Sequence, residues 1–219
     1  RRTHGGATLS LVGVVEFSFR EKESVRRAEK RAIARAIAAL VKPGMAISLD
    51  TGTTTLETAR AIAGISGLTV LTTSLAITSA LYASENIDLI LLGGTVRRNS
   101  PDLSGPLAES NVKNFRTHLA IVGADAATPD GAFTTDVGIA RVSQALAASA
   151  NSVVLAVDSS KFMQTALVRH LDFSQIHQVV TDEGCPASVR EWLDQAGPAV
   201  TYVPVPGKPA LAAETAPDV

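Results

Sequence analysis

Leu49-Asp50-Thr51-Gly52-Thr53-Thr54-Thr55 carries the strongest architectural signal in the sequence. It follows the apolar run 45–49 and precedes a helical pattern carrying Leu56, Ala59, Ile62 and Ala63. That order reads as a strand, a tight turn and a helix start. Gly52 lets the backbone approach a ligand closely. Thr53, Thr54 and Thr55 set hydroxyls beside the unpaired N–H groups of a helix's first turn. Those groups and the positive end of the helix dipole favour an anion, so the turn reads as a phosphate cradle. The competing reading is that Thr53 or Thr54 is an N-cap and nothing more.

The 219 residues allow one large domain or two small ones. Hydrophobic residues make up 46% and charged residues 19%, which suits a filled core; aromatics are only 4%, so Ala, Val, Leu and Ile must fill it. A net charge of −1 lacks the basic balance of a nucleic-acid-binding domain. Cys185 is the only cysteine, which excludes an internal disulfide and fits a cytoplasmic protein. Apolar runs are too short to span a membrane, and no signal-peptide pattern follows Arg1 to Ala7. The chain starts without Met and reads as a trimmed fragment.

Along the chain, 8–19 reads as an edge strand and 21–42 as the clearest helix. Ile33, Ile37, Leu40 and Val41 form its apolar stripe; Arg26, Arg27, Lys30, Arg31 and Arg35 form a polar side of the kind that is usually solvated. Pro43-Gly44 ends it. Strand and helix patterns then alternate. Strands are expected at 45–49, 68–72, 87–92, 118–123, 152–157, 178–181 and 200–203, with helices at 54–63, 74–83, 106–114, 136–149 and 186–196. A long polar loop is expected before residue 136, and a mobile tail over 206–219. Strands apolar throughout, with helices between them, specify an α/β fold: a mostly parallel sheet with helices on both faces.

In such sheets ligands bind beyond the carboxyl ends of the strands. The segments expected there are Asp50 to Thr54, Thr72-Thr73-Ser74, Gly93-Gly94-Thr95-Val96-Arg97-Arg98, Gly123-Ala124-Asp125 and Asp158-Ser159-Ser160-Lys161. Together they suit a small phosphorylated ligand. Arg97 reads either as a fork for an anion or as half of a surface arginine pair. Asp125 reads as a sugar-hydroxyl partner, a base or a turn residue; Lys161 reads as a phosphate ligand or a solvated lysine. Walker A and dinucleotide fingerprints are missing. The four histidines and one cysteine have no zinc-ligand spacing, so neither metal nor cofactor is expected.

A series of short motifs carries a family resemblance. It comprises Glu29-Lys30-Arg31-Ala32-Ile33-Ala34, Leu49 to Thr55, Leu71-Thr72-Thr73-Ser74 and Leu92-Gly93-Gly94-Thr95-Val96-Arg97. Ser104-Gly105-Pro106, Val157-Asp158-Ser159-Ser160-Lys161-Phe162 and Thr181-Asp182 complete it. In this order the series resembles the effector-binding domain of DeoR-type bacterial transcriptional regulators, over residues 20–205. The resemblance implies a fold of the NagB/RpiA/CoA-transferase type, like ribose-phosphate isomerase, with room for a small α+β subdomain. It also implies a winged helix-turn-helix upstream, of which 1–19 would be the end and linker. Carried onto this sequence, Asp50, Gly52, Thr53, Thr54 and Thr55 form the first phosphate-and-sugar loop, and Thr73 and Ser74 add donors. Gly93, Gly94, Arg97 and Gly105 close a second side. Asp125 matches the isomerases' catalytic aspartate loop, and Lys161 matches the lysine of their Asp-x-Ser-Lys motif.

One departure bears on activity. Where these regulators commonly carry Glu-Ala and the isomerases a catalytic glutamate, this chain reads Asp136-Val137-Gly138-Ile139-Ala140-Arg141. The expectation is therefore a non-enzymatic, homo-oligomeric sensor of a phosphorylated sugar, coupled to operator DNA. The alternative is a sugar-phosphate isomerase-type enzyme of the same fold.

Overall fold

The computed structural model describes residues 19–207. The expected edge strand, wing remnant and tail lie outside these residues, except that Phe19 opens a helix and 206–207 form a turn.

Two helices come first, α1 (Phe19–Ser24) and α2 (Arg27–Ala38). They are followed by β1 (Ala46–Leu49), α3 (Thr53–Ile62), β2 (Leu68–Thr72), α4 (Leu75–Leu81) and β3 (Ile87–Leu91). An antiparallel pair, β4 (Thr95–Val96) and β5 (Leu103–Ser104), leads to α5 (Pro106–Val112) and β6 (Thr117–Val122). Next come β7 (Ala126–Thr128), β8 (Gly131–Thr134), α6 (Val137–Ala148), β9 (Ala150–Ala156) and β10 (Val168–Leu171). The chain closes with β11 (Gln178–Asp182), α7 (Ala187–Gln195) and β12 (Ala199–Val203).

The main sheet has seven strands in the order β12-β11-β9-β6-β1-β2-β3, all parallel. Its inner strands are mostly apolar because helices cover both faces. Side chains alternate between two layers: Ile121 packs in the core with α2, α3 and α4, while Ala120 and Val122 face the core on the other side. The first core holds Ile33, Ile37, Leu56, Ile62, Ile77 and Leu81 against Ile47, Leu49, Leu68 and Val70. On the opposite face, α5 and α6 bring Ala108, Val112, Val142 and Leu146 to Leu71 and Leu92. There α7 brings Leu193 to Leu155 and Val179, and the edge of Trp192 meets Phe162 at 5.8 Å and Phe173 at 5.3 Å.

Two expectations are corrected. The single helix over 21–42 is broken at Val25-Arg26, where Arg26 has φ 52° and ψ 40°, the one positive φ outside glycine among the described residues. Neither Gly nor Pro marks the break. A side chain of the next helix stabilises it: Lys30 Nζ donates to the carbonyls of Lys22 and, at 2.7 Å, Val25, which the end of α1 leaves without helical partners. The charged face of α2 also divides. Arg27, Arg31 and Arg35 are exposed, but Lys30 is buried and Arg26 turns inward.

The long polar loop before residue 136 is the second correction. It contains β7 and β8, which form a three-stranded antiparallel sheet with β10, in the order β10-β8-β7. Ala127, Ala132 and Leu171 of this sheet share the second core with Leu155 and Val179 of the main sheet. No helix among the described residues is long and apolar enough to cross a membrane.

Candidate ligand-binding cleft

The strand order reverses between β1 and β6, the two strands whose next connections run to opposite sides of the sheet. Such a switch point opens a crevice at the carboxyl ends of the strands. A cleft of about 280 Å³ lies there. Turns following β1, β6 and β9 line it, together with α1, the β4–β5 connection and the end of β8.

Its first wall is the turn after β1. Gly52, with φ 144°, occupies the N-cap of α3 and offers no capping side chain. Thr55 Oγ1 donates to Gly52 O at 2.9 Å, but the hydroxyls of Thr53 and Thr54 have no hydrogen-bond partner among the described residues. The first-turn N–H groups of Thr53, Thr54 and Thr55 likewise meet no acceptor there. By contrast, Ser74 Oγ caps Ile77 N in α4, and Asp136 Oδ1 caps Ile139 N in α6. The N-cap reading of Thr53 and Thr54 is thus replaced: they are the first helical residues, and their uncapped turn opens on the cleft.

Asp50 forms the floor and is 2% exposed. Ser143 Oγ donates to Oδ2 at 2.7 Å and Thr51 N to Oδ1 at 2.8 Å. Burial pushes its carboxyl up to about 7; the Ser143 and Thr51 hydrogen bonds oppose that rise and nearby Asp102 adds to it. Asp102, which motif reading passed over, ties the adjacent side together. It accepts from Thr51 Oγ1 at 2.8 Å, Ser100 Oγ at 2.6 Å and Arg97 Nη1 at 3.3 Å. Arg97 also reaches Asp136 at 3.4 Å, so it enters the cleft as a braced cation.

The third side is Asp125, after β6. Lys22 Nζ donates to Oδ1 at 2.8 Å, while Thr134 Oγ1, Thr135 N and Thr135 Oγ1 converge on Oδ2 at 3.1–3.2 Å. Burial would raise this carboxyl, but the Lys22 charge and hydrogen bond, the Thr135 N–H and the Lys161 charge together hold it below its ordinary value. His170 Nε2 lies 3.1 Å from Gly123 O and steadies the same loop; burial pushes the ring down to about 4, so it is neutral and donates from Nε2.

The fourth side is the turn after β9. Asp158 Oδ1 accepts from Ser160 N at 3.1 Å and Ser160 Oγ at 2.5 Å, and Ser159 N donates to Asp182 Oδ1 at 2.7 Å. Lys161 lines the cleft from this turn. Lys30 closes the back; burial lowers its ammonium to about 8, Asp158 opposes that fall and Lys161 reinforces it.

Of the residues picked from the sequence, Asp50, Gly52, Thr53, Thr54, Thr55, Arg97, Asp125 and Lys161 meet in this one cleft. Thr73, Ser74, Gly93, Gly94 and Gly105 stay outside its lining. Thr73 is fully buried, Ser74 caps α4, Gly93 adjoins Asn111, and Gly105 is the N-cap of α5. At Gly94, φ is 126° and a Cβ would sit 2.8 Å from Ser104 O, so the glycine serves close packing. Sequence reading missed Lys22, Arg26 and Lys30. Their cationic heads lie among the first helices, where a charge run usually faces solvent.

A family model described as the DeoR C-terminal sensor domain matches residues 25–183. The HTH-type transcriptional repressor CsqR of Escherichia coli (strain K12) is 32% identical over 196 residues, covering 89% of this chain and 75% of that protein. The glycerol-3-phosphate regulon repressor of the same organism is 30% identical over 193 residues, covering 88% and 76%. Among solved structures, ribose 5-phosphate isomerase A from Methanocaldococcus jannaschii aligns with 60% of this chain and 52% of its own, at 22% identity and a TM-score of 0.44.

Proposed function

The chain belongs to the DeoR family through its C-terminal sensor domain, and we propose that its cleft binds a phosphorylated sugar or related metabolite and reports occupancy to DNA. The observation that carries this reading is the uncapped first turn of α3. Two free threonine hydroxyls and three backbone N–H groups face a cleft at the switch point of a parallel sheet. A phosphate oxygen set is the ligand such a turn favours. Lys22, Lys30, Arg97 and Lys161 add positive charge around it. One relative is named for a glycerol-3-phosphate regulon, which supports a phosphorylated effector.

The route outward runs through α1. Lys22 on α1 is paired with Asp125 at 2.8 Å, and Glu23 on α1 is paired with Arg60 at 2.9 Å. An anion in the cleft competes with Asp125 for Lys22. The position of α1 therefore differs in free energy between empty and filled states, as a ligand-driven switch requires. A relative's name includes a helix-turn-helix, so we place the operator-reading unit N-terminal to α1, in a cytoplasmic homo-oligomer. Symmetric dimers match palindromic half-sites. The same geometry favours sensing over isomerisation: Asp125 is held ionised by four donors, and Asp136 is engaged as a helix cap and an arginine partner.

A thermal-shift panel tests the reading. A phosphorylated ligand at about 100 times its Kd should add about 2.7 kcal/mol, roughly 5–10 °C for a chain of this size. Shifts with unphosphorylated sugars alone would overturn the cradle. Turnover of aldose or ketose phosphates that Asp125→Asn abolishes would overturn the sensor.

A further inference from the structure

Arg26 holds an unusual backbone for a purpose that the phosphate cradle does not explain. Left-handed φ and ψ are strained for an arginine, and glycine or asparagine adopts them more readily. The side chain gives no cap to α2. Instead the guanidinium reaches across to the turn after β9. Nη1 donates to Ser159 Oγ at 2.8 Å and touches Asp158 Oδ1 at a long 3.4 Å, while Nε lies 3.9 Å from Glu29. Asp158 also accepts from Ser160 N and Ser160 Oγ. Nη2 has no partner among the described residues, and the side chain lines the cleft at 33% exposure. Arginine placed in this way presents a planar fork to an acceptor with two oxygens.

The fork stands at the opposite end of the cleft from the cradle. The cradle follows β1, the Arg26 contact follows β9, and β6 alone lies between them. Adjacent strands are about 4.8 Å apart, so the two strand ends are separated by about 10 Å. That matches a five- or six-carbon chain lying across the switch point. Resting on the cleft reading above, we propose that the effector carries a second anionic group, a carboxylate or second phosphate, which Arg26 grips while the α3 turn holds the first. Arg26 is then a specificity-determining residue: it selects phosphorylated sugar acids or sugar bisphosphates over sugar phosphates whose phosphate is their only anionic group. The break between α1 and α2 is what turns its side chain into the cleft.

Titration calorimetry on the intact chain tests this with glucose 6-phosphate, fructose 6-phosphate, 6-phosphogluconate and fructose 1,6-bisphosphate. The wild type should bind at least one of the last two tenfold or more tightly than either single phosphate. A preference for the acid identifies a carboxylate, and one for the bisphosphate a second phosphate. In Arg26→Asn and Arg26→Gly, both suited to the left-handed backbone, that ratio should fall to within twofold. A wild-type ratio within twofold, or a ratio that survives both substitutions, overturns the inference and leaves the cradle standing. Binding of none of the four overturns the inference, and the thermal-shift panel above then decides the cradle separately.

Discussion

The two halves of the cleft are built differently. The half formed by β1 and the α3 turn grows out of the sheet: Ile47 and Leu49 are fully buried and Asp50 nearly so. The half formed by α1 has no buried residue over its six positions; Phe19 packs partly against the core and Lys30 bonds Lys22 O, and the rest of its hold comes from the Lys22–Asp125 and Glu23–Arg60 ion pairs. Burial supplies the larger energy and ion pairs at partly exposed sites supply little. A binding element tied to the core keeps its geometry when ligand arrives, whereas one tied by ion pairs can be recruited or released by charge alone. The fixed half suits recognition and the borrowed half suits signalling.

The largest expected effect tests the fixed half. Ile47→Ala, at 0% exposure in an interior strand, should cost roughly 2–5 kcal/mol in denaturant unfolding. A loss under about 1 kcal/mol would mean that β1 is no more embedded than α1. Asp50 comes next. Its folded-state value of about 7 stands above the ordinary 3.8, so the folded protein binds this proton more tightly than the unfolded chain. The associated stability is fully present below about pH 4 and is lost as pH rises through 7. Asp50→Asn should flatten that slope and stabilise the fold above pH 7 by a few kcal/mol at most, since each tenfold change in proton affinity is worth about 1.4 kcal/mol. Melting curves at pH 4 to 8 give the answer, and an unchanged slope would remove Asp50 as its source.

Thr53→Val sharpens the comparison at the ligand. It should weaken phosphate-ligand binding about tenfold while leaving the melting temperature nearly unchanged, since a hydrogen bond to a charged group contributes about 1.5–3 kcal/mol. Equal affinity would leave the backbone alone as the cradle. The smallest effect belongs to α1. Lys22→Ala should cost less than about 1 kcal/mol globally, yet speed amide exchange selectively over 19–24. A global loss matching that of Ile47→Ala would show that α1 is part of the core.

The same contrast explains what was legible in the sequence. Strands buried on both faces print as largely apolar runs, so the seven-strand sheet and helices α3 to α7 stood out to within a few residues. The antiparallel sheet did not. Ala126-Ala127-Thr128 and Gly131-Ala132-Phe133-Thr134 are too short for a period, and the third strand that completes the sheet on β8, Val168–Leu171, is more than 30 residues away. The cradle was legible because small residues at a strand–helix junction have a local physical meaning. Arg26, Lys30 and Asp102 were not, because their burial and partners come from segments distant in the chain or from a helix break without a sequence signal.

The aromatic cluster on the far face gives the protein a built-in optical gauge. Trp192 is the sole tryptophan, and the Phe162 ring that meets its edge follows Lys161 directly in the chain. Movement of that turn toward an anion would alter the packing around the indole. Its emission would then follow filling of the cleft in real time, in unlabelled protein, by stopped-flow as readily as at equilibrium.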